Sequence, residues 1–119
     1  GALDVRATAI NMEMKVAAAQ AIADLAREDV PDEVAAAYGG ARPKFGKGYI
    51  IPAPFDPRLM ASISSAVAQA AMETGVARRP IADIEEYKRQ LSARRDPVAG
   101  VLARVFEQVR RRPRRVVFA

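Results

Sequence analysis

Proline positions fix where this chain can be regular. The eight prolines stand at 31, 43, 52, 54, 57, 80, 97 and 113. Each lacks a backbone N–H and disfavours a helical conformation in the residue before it, so a helix can begin at a proline but rarely runs through one. The intervals divide the chain into four helical stretches and one irregular one. Asn11 is suited to cap the first helix, with Glu13 in its first turn, and Ile10, Met14, Ala18, Ala21, Ile22 and Leu25 recur at helical spacing as far as about Glu28. Val30-Pro31 closes that helix. Asp32 to Tyr38 reads as one or two further turns, stopped by Gly39-Gly40.

Asp56-Pro57 opens the second main helix, with Asp as cap and Pro at the first helical position. Its buried face is expected from Leu59, Met60, Ile63, Val67, Ala70 and Ala71, and Gly75 supplies the stop. Pro80 opens a third, with Ile81, Ile84, Tyr87 and Leu91 inward and Glu85 placed to pair with Arg89. Asp96-Pro97 opens a fourth, carrying Val98, Val101, Leu102, Val105, Phe106 and Val109, which Pro113 ends. Between Ala41 and Phe55, prolines and glycines forbid regular structure. Phe45, Tyr49, Ile50, Ile51 and Phe55 are nevertheless too apolar for a solvated linker, so an extended segment lying on a packed surface is expected. Leu3 and Val5, alternating with Asp4 and Arg6, read as the end of a strand, and so does Arg115 to Ala119. Neither strand has a partner in the sequence, which suggests a piece of a larger fold.

Composition agrees with helices packed through small side chains. Half of the 119 residues are apolar, only seven are aromatic, and there is no Trp. There is no Cys and no His, which removes disulfides, thiolate or imidazole metal ligands, and any Ser-His or Cys-His nucleophilic pair. No apolar run approaches the ~20 residues that cross a bilayer. The first residues also lack the basic and apolar regions of a secretory signal, so a cytoplasmic location is expected. The net charge of +5 is local: residues 61–119 hold twelve basic and six acidic side chains, and five of the last ten residues are Arg.

Four groups invite a functional reading. Gly46-Lys47-Gly48 suggests a phosphate cradle, but it follows no strand, opens no helix and lacks a third Gly, so an ordered surface turn is preferred. Asp29, Asp32 and Glu33 suggest a hard-cation site; Asp32 and Glu33 more simply sit where a helix dipole favours them. The run Arg110 to Arg112 with Arg114 and Arg115 suggests phosphate contacts. No aromatic side chains interleave it, and a solvated helix end is preferred, so nucleic acid is not the favoured partner. Met12 and Met14 are read as core packing rather than a partner-binding groove.

The order and spacing of several stretches resemble bacterial malic enzymes. Gly1-Ala2-Leu3-Asp4-Val5, with Ala7-Thr8-Ala9-Ile10-Asn11 and Met14-Lys15, is similar to the end of that family's cofactor domain. Tyr49-Ile50-Ile51-Pro52, Pro54-Phe55-Asp56-Pro57-Arg58-Leu59, Ala70 to Ala77 and Arg79-Pro80-Ile81-Ala82-Asp83 continue the resemblance over roughly residues 1–90. Pro113 to Val117 resembles the entry strand of the phosphate-acetyltransferase-like domain of the large hybrid form. The resemblance implies a parent enzyme that oxidatively decarboxylates malate to pyruvate and CO2, using NAD or NADP and Mg or Mn. The residues that act in that reaction match nothing here, so no catalytic, cofactor-binding or metal residue is assigned, and Lys15, Lys47, Tyr38 and Tyr49 are not promoted to such roles. The expected organisation is 1–91 as the helical end of the cofactor domain, 92–112 as a connector and 113–119 as a first strand of the next domain. Taken alone the chain is expected to be all-α, inactive and bound to no cofactor. Its partners would be the rest of the parent enzyme and further copies reached through exposed apolar helix faces, with no membrane. The alternative is a small basic helical module that binds nucleic acid or protein.

Overall fold

The computed structural model describes residues 1–95, 105 and 108–111. Four helices follow in order: α1 Met12–Arg27, α2 Asp32–Ala37, α3 Arg58–Glu73 and α4 Ile84–Arg95. The helix expected from Asp96-Pro97 falls largely outside the described residues, and the terminal strand at 115–119 lies wholly outside them. Val105 and residues 108–111 are helical.

Helix limits follow local chemistry. Asn11 Oδ1 accepts the Met14 N–H at 3.0 Å, satisfying a donor that the first turn leaves orphaned. The Asn11 amide also donates to Thr74 Oγ1 at 2.8 Å, so the start of α1 is tied to the end of α3. At the other end of the pair, Arg58 of α3 reaches Glu28 just beyond α1. The two helices therefore run antiparallel. Gly75 stops α3 at φ +75°, where a side chain would be strained. The Val76 N–H returns to the Ala71 carbonyl at 3.0 Å and the Gly75 N–H to Met72 at 3.2 Å, the paired bonds of a Schellman cap.

The main core gathers Val5, Met14, Ala68, Ala70, Ala71, Tyr87 and Leu91, so α3 is sandwiched between α1 and α4. Its alanines let the backbones approach closely, and the long Met14 and Leu91 fill the space between them. A smaller cluster joins Val30, Val34, Ala35, Tyr49 and Ala53, which seats α2 against the irregular segment. Tyr49 anchors that segment: its hydroxyl accepts the Ala53 N–H at 3.2 Å, and its ring meets Tyr38 edge-on with centroids 6.5 Å apart.

Five expectations need correction. Residues 1–6 form turns rather than a strand end, because the Val5 N–H bonds back to Gly1 and the Ala7 N–H to Ala2. That segment packs so closely on α3 that a Cβ at Gly1 would lie 2.6 Å from the Ser64 carbonyl. Ile10 precedes the Asn11 cap and points to solvent, so it does not belong to the buried stripe of α1. Met60 is likewise exposed, one step off the face that Ala61, Ser65 and Ala68 turn inward. The third main helix begins at Ile84 rather than at Pro80, because Asp83 Oδ1 accepts the Glu86 N–H and sets the start. Finally, Glu85 pairs with Lys88, and Arg89 pairs with Glu86, both three residues apart.

Candidate functional site

The strongest electrostatic feature lies where α3 starts. Asp56 is buried, and its carboxylate is gripped on both oxygens by Arg58: Nε to Oδ1 at 3.0 Å and Nη2 to Oδ2 at 2.8 Å, with the Arg58 N–H also on Oδ1. The remaining guanidinium nitrogen reaches Glu28 Oε2 at 3.2 Å and the Asp29 carbonyl at 3.0 Å. Burial alone would raise the Asp56 carboxyl, but the Arg58 side chain and backbone outweigh it and hold Asp56 below its usual value. Arg58 sits at a helix N-terminus and Glu28 at a C-terminus, each the unfavourable end for its sign. Pairing them across the two helices offsets that cost and leaves both charges occupied.

A second cluster joins the first segment to α4. The buried Tyr87 hydroxyl donates to Asp4, and Arg94 approaches the same carboxylate at 3.5 Å. The Tyr87 hydrogen bond holds the Asp4 carboxyl below 3.8. Burial, then the Asp4 contact, pushes the Tyr87 hydroxyl far up, so it is a fixed donor rather than an acid. A cavity of about 340 Å³ beside it is lined by Asp4, Arg79, Asp83, Tyr87 and Arg94 among others. The sign of the pH effect follows from the lowered Asp4. Just below 3.8 the unfolded chain binds the proton and the folded chain does not, so stability falls as pH falls through that region. Tyr87→Phe is expected to cost about 1 kcal/mol at neutral pH and to flatten this acid limb. Urea unfolding from pH 7 to 3 checks it; an unchanged acid limb would show that the contact contributes nothing.

The groups singled out from sequence are not brought together. Gly46-Lys47-Gly48 forms a tight turn closed by Gly46 and Tyr49, whose N–H groups donate to each other's carbonyls at 3.2 and 3.0 Å. Its backbone donors are thus partly spent on the turn, and Lys47 stands in solvent. Asp32 pairs with Arg42, Glu33 with Arg95 at 3.3 Å, and Asp29 offers its carbonyl to Arg58. Among the described residues no group of three acidic side chains could hold a metal ion. Arg110 and Arg111 are exposed on a helix; Arg112, Arg114 and Arg115 lie outside the described residues. Met14 is core, but Met12 is exposed, so the two do not share a role. Sequence reading missed Arg58 and Tyr87 as network centres. The Asp-x-Arg spacing at 56–58 was a usable signal, whereas Tyr87 meets Asp4 across 83 residues and left none.

No described helix is long and apolar enough to cross a membrane, and no family model matches the chain. Individual relatives do. Over all 119 residues it is 67% identical to an NADP-dependent malic enzyme of Rhizobium meliloti. It is 53% identical over 117 residues, 98% of the chain, to the NADP-dependent malic enzyme of Escherichia coli. Its homologues are malic enzymes. The chain spans only 16% of the Rhizobium protein and 15% of the E. coli one. A bifunctional malic/malolactic enzyme of Bacillus subtilis matches 77% of the chain at 49% identity. The chain is thus consistent with a fragment of a malic enzyme.

Proposed function

We propose that this chain is a packing segment of a longer malic enzyme that converts malate to pyruvate and CO2 with NAD or NADP and Mg or Mn, and that the segment itself performs none of the chemistry. The observation that carries the proposal is the identity of 67% from end to end with a malic enzyme. The segment's own residues do not fit the cofactors. Gly46-x-Gly48 lies in a closed turn rather than between strand and helix, and the acidic side chains near Asp32 are dispersed onto separate cations. Dinucleotide and metal would therefore be held by the rest of the polypeptide. The architecture supports a packing role. Among the described residues α1, α3 and α4 pack side by side as one layer of helices, whereas stable domains bury such a layer against a second.

The proposed division is 1–91, 92–112 and 113–119, and the differing lengths of the relatives are in keeping with a further domain in the longer ones. A match of 119 residues is 16% of the Rhizobium NADP-dependent enzyme, which makes that protein about 740 residues long. A match of 94 residues is 20% of the Bacillus enzyme, about 470 residues, and covers only 77% of the chain. A short Halomonas elongata relative matches 67%. A connector of freely varying sequence, leading to a further domain that is phosphate-acetyltransferase-like in this proposal, would account for such partial matches. The NAD-dependent relative of Rhizobium meliloti also matches only 77%, as a freely varying connector would allow. Cytoplasmic location and a homo-oligomeric parent complete the proposal; the exposed apolar Ile50 and Ile51 support association.

The test is malate-dependent reduction of NAD and of NADP by the full polypeptide with Mn or Mg. Reduction with release of CO2 is expected; no reduction of either nucleotide would overturn the proposal.

A further inference from the structure

Residues 29–55 pack on themselves. Val30, Val34, Ala35, Tyr49 and Ala53 make a core of their own, and no residue of 29–55 belongs to the main core or to the side chains packed against it. Among the described residues α2 meets no other helix. Internal contacts brace the segment. Arg42 donates to the Val30 carbonyl at 2.8 Å and pairs with Asp32, while Tyr38 meets the rings of Tyr49 and Phe55, each at 6.5 Å. The seam with the helical layer is of a different kind. Three arginines, one from each helix of that layer, reach across it. Arg27 of α1 lies over the Phe45 ring at 5.1 Å, Arg58 of α3 donates to the Asp29 carbonyl at 3.0 Å, and Arg95 of α4 pairs with Glu33 at 3.3 Å. A cavity of about 440 Å³ lies along the same seam, lined by Glu33 on one side and by Pro57, Arg58, Ser92 and Arg95 on the other.

We infer that residues 29–55 form a flap that opens from the helical layer as one unit while the main core stays folded, and that Arg27, Arg58 and Arg95 are its latch. A segment with its own apolar core and few apolar ties to its surroundings is a unit that can open separately. The connections at its ends allow the motion. The chain leaves α1 through Glu28 in an extended conformation and returns through Pro54 and Phe55 to Asp56, before α3 begins. The latch is made of charges near the surface: Arg95 and Glu33 are 42% and 67% exposed. Salt screens such pairs over about 10 Å at 0.1 M and leaves apolar packing in place. Ionic strength therefore loosens the seam without loosening the flap itself or the main core. The inference does not depend on the proposed reaction.

The experiment is amide hydrogen exchange, read by mass spectrometry of peptides from this segment in the full polypeptide, at about 0.05 M and about 0.5 M sodium chloride. Peptides within 30–55 are expected to exchange together and faster than those of α3, and about threefold or more faster again at the higher salt, with α1 and α3 changing less. Arg27→Gln and Arg95→Gln should each speed exchange of 30–55 about two- to fivefold at low salt. Arg89→Gln, which breaks a pair lying within α4, should leave it unchanged. Exchange of 30–55 at the same rate as α3 would show that the segment opens only with the whole fold. That result would overturn the inference, as would rates within 30–55 indifferent to salt and to both latch variants, or an Arg89→Gln effect equal to theirs. Malate oxidation by the same preparation reports separately on the proposed function.

Discussion

Arg58→Ala is expected to destabilise the fold by about 3 kcal/mol, the loss that follows when one partner of a buried ion pair is removed. The reason is the asymmetry of the pair. Arg58 is partly exposed and retains Glu28 and the Asp29 carbonyl as partners, whereas the Asp56 carboxylate is shut away from water. Without Arg58 its side-chain oxygens keep only a backbone donor. Asp56→Ala should therefore cost less than Arg58→Ala, and the double variant should recover part of the Arg58→Ala loss. The pH dependence should invert as well. In the parent, Asp56 is held below 3.8, so its contribution is present above that value and lost as pH falls through the folded value. With Arg58 gone, burial dominates and lifts the carboxyl above 3.8. The folded chain then holds the proton longer, so destabilisation grows as pH rises from 4 towards neutrality. Urea midpoints of the three variants between pH 3.5 and 7 decide it. A double variant less stable than Arg58→Ala would contradict the pairing as described.

Met14→Ala is expected to cost about 3 kcal/mol, within the range for emptying a buried long side chain. Met14 is 1% exposed and lies against Val5 and the small Ala68 and Ala71. Alanine neighbours have no side-chain freedom with which to close the space, so the cavity persists. Met12→Ala provides the comparison. In the 119-residue chain it should change stability by no more than about 0.5 kcal/mol, because that side chain is already in water. Equal effects at the two positions would mean that α1 does not pack in the orientation observed.

The helical organisation was legible because its punctuation is local. Asn11, Gly39, Gly75 and the proline pairs act on their immediate backbone, and α1, α2 and α3 lie near the expected limits, whereas α4 starts at Ile84 rather than at Pro80. What failed was one-sidedness. Ile10 and Met60 fit an apolar period but face solvent, since periodicity finds an apolar stripe without telling which part of it this chain covers. The strand expected at Leu3 and Val5 failed for a related reason. Alternation over four residues suits a turn as well as a strand, and the close fit of Gly1 on α3 favours the turn. Of the networks, Asp56–Arg58 is a short-range pair visible in sequence, while Asp4–Tyr87 depends on α4 folding back over the first segment.

The central claim is that this segment supports a malic enzyme without entering its reaction. The most direct measurement is steady-state malate oxidation by the full polypeptide carrying Lys15→Met, Lys47→Met or Tyr38→Phe, three exposed side chains of suitable type for proton transfer. The expected result is a kcat and a KM for malate within about twofold of the parent in every variant. A fall in kcat of about a hundredfold in any of them, with folding unchanged, would place a catalytic group in this segment and contradict the claim.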